Sequence, residues 1–235
     1  MLKRVFLLGG SRTPVGSLLG SLKEFSALDL SVTCTRSALI KTKVDPDTID
    51  QVILGNVVSA GLGQNPARQV SIASRINPEA SCLNVNKVCA SGMKSVMLGA
   101  QSLALGEGGV VLAGGFESMT NSPHLINNYR QGHKFGDYKI IDTLSQDGLT
   151  DPYKKIAMGF CGEHTAREMN ITREIQDEYC RQSYERAIEA ERRGVFANEI
   201  TPMTTRRGEV IDKDEEPKRY TPEKVSSLKA VFVDQ

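Results

Sequence analysis

Cys89 is the residue whose type and position in this sequence best suit covalent chemistry. It follows residues 82–88, which alternate apolar and polar side chains as a strand does, and it precedes the mostly apolar, helix-length residues 90–105. We therefore expect the thiol near a helix N-terminus, where unpaired N–H groups and the helix dipole favour the reactive thiolate and can bind an oxyanion. Free cysteines are also common in protein cores. Position alone thus leaves two hypotheses, a nucleophile and a buried core cysteine.

Composition and charge limit the classes of protein that the chain can represent. Its 235 residues are 40% hydrophobic, which suits one large domain or a core with a substantial excursion. With 29 basic and 28 acidic residues, the net charge of +1 gives no reason to expect a nucleic acid or a membrane as the main partner. The five cysteines form no C-x-x-C pair, which favours thiols in a reducing compartment over disulfides or a zinc site.

The first apolar stretch, residues 5–8, is too short for a membrane span or the core of a signal sequence. No arginine- and serine-rich presequence stands before it. A cytoplasmic location is therefore expected, and a processed mitochondrial protein is the alternative.

The first half of the chain alternates predicted strands and helices. The helix at 26–43 begins at Ser26 with Asp29 three residues later, an acidic relative of the capping box. Apolar strands that alternate with helices favour a largely parallel sheet covered on both faces, with ligands beyond the carboxyl ends of the strands, where Cys89 is expected. The predicted strands are 5–8, 52–60, 82–88 and 110–113, and the predicted helices are 26–43, 66–76 and 90–105.

The second half of the chain is more polar. Residues 120–151 are rich in loop-forming residues, and two helices are predicted after them, at 156–169 and at 172–193. Residues 204–229 carry many charges of both signs, which favours an extended surface excursion. No strand is followed by G-x-G-x-x-G, so the glycine pairs are interpreted as turn residues rather than a nucleotide site.

Five motifs occur in an order and spacing that one enzyme family shares. They are Ser-Arg-Thr-Pro-Val-Gly at 11–16, Gly-Gln-Asn-Pro-Ala-Arg-Gln at 63–69, Asn-Lys-Val-Cys-Ala-Ser-Gly-Met at 86–93, Ala-Gly-Gly-Phe-Glu-Ser-Met at 113–119 and Asp-Gly-Leu-Thr-Asp at 147–151. Together they resemble the thiolases, and within them the acetyl-CoA acetyltransferases. The resemblance extends over the whole sequence.

The resemblance implies an α/β, thiolase-like fold. Residues 1–119 would form the N-terminal core half, a layered mixed sheet with helices on both faces. Residues 120–230 would form an inserted α-rich loop domain that binds coenzyme A (CoA), and residues 231–235 the start of the return to the core. The C-terminal half-repeat of the family is absent from this sequence. Residues 63–69 match the loop on the dimer side, so a homodimer or homotetramer of the complete protein is implied.

The resemblance also implies a reaction. The residue that matches Cys89 carries an acyl group as a thioester, so that two acetyl-CoA condense to acetoacetyl-CoA, or CoA cleaves a 3-ketoacyl thioester in reverse. No cofactor is required beyond the CoA thioesters that are substrates, although some members use potassium. Two alternatives stay open: a catalytically incomplete fragment or isoform that serves as a CoA-binding or dimerisation module, and a ketoacyl synthase, against which the insertion at 120–229 argues.

Further site residues follow from the resemblance alone. Arg219, Tyr220, Thr221 and Lys224 fall where acetyl-CoA acetyltransferases contact CoA, and arginine and lysine suit phosphate groups. Leu149 and Met158 match positions that line the pantetheine tunnel, and Tyr184 matches a tyrosine that helps to hold potassium and CoA. Without the resemblance, the charged residues would be interpreted as a solvated surface and the others as ordinary packing. Ala157 stands where the family commonly has histidine, which leaves the shape of the tunnel open.

The base that activates the nucleophile is missing from the sequence. Thiolases supply this base from a Gly-His-Pro motif, a second cysteine from Cys-x-Gly-Gly-Gly and an asparagine from Asn-Glu-Ala-Phe, and none of these motifs occurs here. His124 and His133 lie in the polar loop region and His164 in a predicted helix of the loop domain. None of the three is therefore expected to touch Cys89 as a base must.

Overall fold

A three-stranded parallel sheet forms the centre of the first half of the chain. This computed structural model describes residues 3–132 and 134–232. The strands are β1 (Gln51–Gly55), β2 (Ser81–Val85) and β3 (Val111–Gly115), in the order β2-β1-β3. Gly55 is in register with Val85 and Gly115, so all three strands end at one edge of the sheet. The loops that follow the three strands, including the one that contains Cys89, therefore lie at this carboxyl edge.

Helices cover both faces of the sheet, as predicted. Helices α1 (Ala27–Thr42) and α2 (Pro66–Ala73) pack on the face to which Val52 and Leu54 point, where they form the main hydrophobic core. Helix α3 (Ser91–Leu105) packs on the other face, where Gly99 touches the side chains of β3. The period of a strand thus divides β1 between two buried faces.

Local sequence signals set the ends of the first helices. The side chain of Ser26 accepts a hydrogen bond from the N–H of Asp29, and the carboxylate of Asp29 accepts one from the N–H of Ser26, which confirms the predicted capping box. Asn65 caps α2 in the same way through the N–H of Arg68, and Pro66 occupies the first turn, where its missing N–H costs nothing. Both starts were visible in the sequence.

The predicted buried strand at residues 5–8 is wrong. The segment is neither helix nor strand and is exposed, with Phe6 73% and Leu7 88% accessible. Within the part of the chain that the structure describes, β3 pairs with β1 alone, and Lys3, just before the segment, bonds to the end of α3 through Ala104. Apolar composition indicates that a segment favours burial, but it does not supply the neighbour that buries it.

The second half of the chain consists of short strands, turns and two helices. The predicted long helix is confirmed and is capped by Thr172, whose hydroxyl accepts the N–H of Ile175. Of the residues described, no helix combines the length and the apolar character needed to cross a membrane. The elements are β4 (His124–Ile126), β5 (Ile140–Asp142), α4 (Met158–Glu168), α5 (Arg173–Arg192), β6 (Met203–Thr204) and β7 (Val210–Ile211), with 3-10 turns at Glu216–Arg219 and Pro222–Ser227.

The domain boundaries at 119/120 and 230/231 stay predictions. The end of the predicted return to the core, residues 233–235, lies outside the described residues.

Arg12 joins the first loop of the chain, residues 12–21, to the last quarter of the chain. Its guanidinium donates to both carboxylate oxygens of Asp214, at 2.7 and 3.0 Å, and to Glu199 at 2.7 Å. Asp214 also accepts the N–H of Val15 at 2.8 Å. A bidentate ion pair of this kind fixes the orientation of the two side chains as well as the distance between them. Asp214 and the two acidic residues after it, Glu215 and Glu216, form an acidic clamp on the first loop.

Glu215, the middle member of the acidic clamp, accepts three hydrogen bonds from the first loop. One of its carboxylate oxygens accepts the N–H of Ser17 at 3.0 Å and both the N–H and the hydroxyl of Ser21, at 2.9 and 2.8 Å. These bonds, led by the N–H of Ser17 and then that of Ser21, lower the pKa of Glu215 to about 2 because they favour its charged form.

The low pKa of Glu215 makes part of the folding stability depend on pH. Since the folded pKa lies below the unfolded one, this stabilisation is fully present above about pH 4.5 and is lost as the pH falls towards 2. We expect Glu215→Gln to lower the free energy of unfolding by up to about 1 kcal/mol at pH 7, the range for solvent-screened charges, and by less at pH 3.

Urea unfolding at the two pH values measures this difference. Glu79→Gln is the control, because the exposed side chain of Glu79 makes no hydrogen bond or ion pair with the residues that the structure describes. An equal loss for Glu215→Gln at pH 7 and at pH 3 would contradict the assignment.

Candidate functional site

The thiol of Cys89 is exposed at the carboxyl edge of the sheet. Strand β2 ends at Val85 and α3 begins at Ser91, so the cysteine lies in the connection between them, as the sequence predicted. Cys89 is exposed, whereas the other four cysteines are only partly exposed, and all five are free thiols. This exposure does not fit a buried core cysteine.

Val88, the residue before the thiol, has an uncommon backbone conformation. Its φ of 50° lies in the left-handed region, which a β-branched residue rarely adopts. Three contacts hold it there: its N–H donates to Oδ1 of Asn86 at 3.0 Å, and its carbonyl oxygen accepts the hydroxyl of Ser91 at 2.6 Å and the N–H of Ser91 at 3.0 Å. The hydroxyl of Ser91 in turn accepts the N–H of Lys87 at 2.9 Å. We call residues 86–91 the Cys89 elbow.

Two glycines let the first turn of α3 press against the sheet. A Cβ on Gly55, the last residue of β1, would overlap the carbonyl carbon of Ser91, and a Cβ on Gly115, the last residue of β3, would lie 2.9 Å from the Cα of Gly92. The hydroxyl of Ser95 lies 2.6 Å from the carbonyl oxygen of Gly92, inside the helix. The ends of two strands therefore support Ser91, the last residue of the Cys89 elbow, and Gly92, the residue after it.

The first turn of α3 offers hydrogen-bond donors beside the thiol. The first N–H groups of a helix have no partner within it, and the N-cap residue of α3, Ala90, makes no side-chain cap. The N–H of Ser91 is not one of the donors, because it bonds to the carbonyl oxygen of Val88. A developing negative charge on a substrate oxygen near Cys89 can be bound by such groups. An exposed thiol beside such N–H groups suits acyl transfer.

The residues matched to CoA contacts lie together in the last quarter of the chain. Arg219 pairs with Glu216 at 3.1 Å, and both side chains are about half exposed or more. Tyr220 stacks on Tyr184 of α5, with ring centroids 4.7 Å apart and planes inclined by 5°. Burial raises the pKa of Tyr220. Thr221 and Lys224, which follow, are exposed.

Leu149 and Met158 are brought together although eight residues lie between them. An antiparallel bridge joins Thr150 to Ala157, and the two apolar residues flank it. Both side chains are nearly half exposed, at 46% and 49%. Ala157, the departure from the family pattern, is the N-cap of α4 and makes no side-chain cap. The pair is therefore available to contact an apolar part of a ligand.

Two contacts of the site could not be inferred from the motifs. Glu117 holds the loop after β1, 60 residues away in sequence, and the stacked pair of Tyr184 and Tyr220 joins α5 to the charged segment. In both contacts the two residues lie far apart in the sequence. Local periodicity carries no information on such distant partners.

The fold, the motifs and the exposed thiol define the class of protein. Residues 5–235 match the N-terminal domain family of the thiolases. The chain belongs to this family.

Individual relatives agree with this assignment. The chain is 44% identical to an acetyl-CoA acetyltransferase of Yarrowia lipolytica over an alignment of 237 positions, which covers 100% of the chain and 59% of the relative. It is 43% identical to a mitochondrial acetyl-CoA acetyltransferase of Mus musculus, covering 98% of the chain and 55% of the relative.

A solved structure shows the same fold. It is a crystal structure of a thiolase from Ascaris suum in complex with CoA, with a TM-score of 0.90 and 40% identity. The match covers 96% of the chain and 58% of the Ascaris protein. The chain thus spans less than two thirds of the length of the relatives that it matches.

The close approach of α3 to the sheet leads to a test by substitution. We expect Gly55→Ala to lower the free energy of unfolding by about 1–3 kcal/mol, the usual cost of an added methyl group in a closely packed site, because backbone rather than a flexible side chain must move. Gly162→Ala is the matched control, since a Cβ there meets no atom within 4 Å and alanine favours the helix. Equal stability of Gly55→Ala and the wild type in urea unfolding would refute the close packing.

Proposed function

We propose that this chain is the nucleophile-bearing and CoA-binding part of an acetyl-CoA acetyltransferase. The observation that carries the proposal is the exposed thiol of Cys89 at the uncapped start of α3, on the edge where three strands end. The names of the relatives support acetyl-CoA as the substrate, and the CoA complex of the Ascaris thiolase supports a CoA site. The names of the relatives do not favour the alternative, a catalytically incomplete fragment or isoform that only binds CoA or dimerises, over this proposal.

In the proposed reaction, the sulfur of Cys89 attacks the carbonyl carbon of acetyl-CoA. The bond from that carbon to the CoA sulfur breaks as the new thioester forms, and the thiol proton passes through a base to the departing CoA. A second acetyl-CoA then loses a proton from its methyl carbon, and this carbon attacks the Cys89 thioester. A carbon–carbon bond forms, the Cys89 thiolate leaves and acetoacetyl-CoA results. Thiolysis is the reverse.

The proton transfers in this scheme need a base that these 235 residues do not provide as a family motif. His124 lies on β4 and His164 on α4, both exposed. His133 lies outside the described residues. The base of the thiolases belongs to the Gly-His-Pro motif, which the sequence lacks. General-base assistance typically contributes about 10²–10⁴-fold to a rate.

We expect the purified chain to take up labelled acetyl groups from acetyl-CoA on Cys89, about 10²–10⁴-fold more slowly than a thiolase with its own base. Mass spectrometry of the peptides locates the label, and Cys89→Ser should abolish it. Cys34→Ser is the control, because burial raises the pKa of the Cys34 thiol, which donates to the carbonyl oxygen of Ser11. Label on another cysteine, or persistent uptake by Cys89→Ser, would overturn the proposal.

Arg219 is proposed to bind a phosphate group of CoA. Its ion pair with Glu216 is exposed and therefore weak, so the guanidinium can exchange a carboxylate for a phosphate at little cost. Tyr220, Thr221 and Lys224 adjoin it in sequence, and Leu149 and Met158 are proposed to contact the pantetheine.

Calorimetry with CoA tests the role of Arg219. We expect Arg219→Ala to weaken binding about tenfold, since hydrogen bonds to charged groups contribute about 1.5–3 kcal/mol before solvent screening. Arg207→Ala is the matched control, because Arg207 is an exposed arginine in the turn between β6 and β7. Equal dissociation constants for the wild type and Arg219→Ala would exclude this contact.

A potassium ion near Tyr184 is also proposed from the family resemblance. The phenol oxygen of Tyr220, whose ring stacks on Tyr184, is shielded from solvent and finds no partner among the described residues. An oxygen without a partner fits an ion that is held by oxygen atoms. When bound, potassium would supply positive charge beside the CoA site. A melting temperature that is equal in potassium and sodium chloride would contradict this site.

A homodimer or homotetramer of the complete protein is proposed from the loop at 63–69. This loop is well held, since the side-chain amide of Gln69 donates to the carbonyl oxygens of Leu62 at 2.7 Å and Gln64 at 2.9 Å. Light scattering of the complete protein tests the proposal, and a monomer at micromolar concentration would refute it. A cytoplasmic location stays a prediction.

A further inference from the structure

Glu117 holds the loop that follows β1 through three neutral donors. One carboxylate oxygen accepts the side-chain amide of Asn56 at 2.8 Å and the N–H of Val58 at 3.1 Å, and the other accepts the N–H of Val57 at 2.9 Å. Within residues 3–132 and 134–232, Glu117 forms no ion pair. All three of its bonds thus serve to shape this loop.

The loop after β1 is joined in turn to the Cys89 elbow. The side-chain amide of Asn86 bridges the two segments: its Nδ2 donates to the carbonyl oxygen of Val57 at 3.4 Å, a long bond, and its Oδ1 accepts the N–H of Val88 at 3.0 Å. A continuous series of hydrogen bonds therefore leads from Glu117 through Val57 and Asn86 to Val88, the residue next to the thiol.

The end of this series is a residue that needs support. Val88 has a φ of 50°, and left-handed conformations of β-branched residues cost of order 1–3 kcal/mol unless their surroundings hold them. The neighbouring residue, Cys89, is the one whose orientation depends directly on that conformation. Support for Val88 is therefore support for the position of the thiol.

We propose that Glu117 is a positioning residue for Cys89. It fixes the loop after β1, this loop fixes Asn86, and Asn86 keeps Val88 in the left-handed conformation that presents the thiol at the start of α3. This inference rests on the proposed function only in taking Cys89 as the reacting group.

The chain contains a matched carboxylate that lacks such a route. Asp50 accepts the N–H groups of Gly109 at 2.7 Å and Val110 at 3.1 Å, just as Glu117 accepts those of Val57 and Val58. Asp50, however, precedes β1 and lies at the opposite edge of the sheet from Cys89. If Glu117 has only a structural role, its replacement should affect the Cys89 elbow no more than replacement of Asp50 does.

The test compares Glu117→Gln with Asp50→Asn in the 235-residue chain. In Glu117→Gln one oxygen remains for two donors, but the new NH₂ group faces the third N–H and cannot accept it. We expect amide hydrogen exchange in residues 86–91 to rise about tenfold. We also expect alkylation of Cys89 by iodoacetamide to slow about threefold or more, because the thiol is no longer held exposed beside the start of α3. Asp50→Asn should leave both quantities within twofold of the wild type.

A second variant keeps the proposal testable if Glu117→Gln does not fold. Asn86→Ala removes the bridge without touching Glu117, and it should reproduce both effects on the elbow. If both single variants fold, the double variant should add little to either, because the two residues act in one series.

The two readouts distinguish a positioning role of Glu117 from a general effect on folding. Unchanged or faster alkylation of Cys89 in Glu117→Gln or Asn86→Ala overturns the proposal, as does an equal rise of exchange along the whole chain. Neither readout uses acetyl-CoA, so both stay interpretable if the acetylation expected for Cys89 does not occur.

Discussion

The structure depends above all on the close approach of the first turn of α3 to the ends of β1 and β3. Gly55 and Gly115 make that approach possible, because any side chain there would meet the backbone of Ser91 or Gly92. The three strands end in register, so the loops after them converge at one edge. A thiol in the connection to α3 is therefore exposed, close to helix N–H groups and supported by the sheet. Its position is a consequence of backbone packing.

A second constraint joins this edge to the rest of the chain. The acidic clamp joins the loop at residues 12–21 to the segment just before Arg219 and Tyr220. Asp214 forms a bidentate ion pair with Arg12, and Glu215 accepts the backbone N–H groups of Ser17 and Ser21. Stacking of Tyr220 on Tyr184 then joins that segment to α5. Charges that looked like a solvated surface in the sequence thus partly serve as internal supports.

Elements with local signals were predictable from the sequence. The capping box at Ser26, the proline start of α2 and the start of α3 after Cys89 were found within a residue, because their causes lie within a few positions, whereas the strand before Cys89 ends three residues earlier than predicted. The buried strand at residues 5–8 was wrong because burial depends on a neighbour elsewhere. The roles of Glu117 and the left-handed Val88 were missed, since both depend on contacts or strain that no periodicity reveals.

Protection of the thiol by CoA measures most directly whether Cys89 is the reacting group beside a CoA site. The chain is alkylated with iodoacetamide, with and without saturating CoA, and the rate at each cysteine is followed by mass spectrometry. We expect CoA to slow alkylation of Cys89 and to leave the rates at Cys34 and Cys82 unchanged. Binding of CoA with no protection of Cys89 would contradict this role of the thiol.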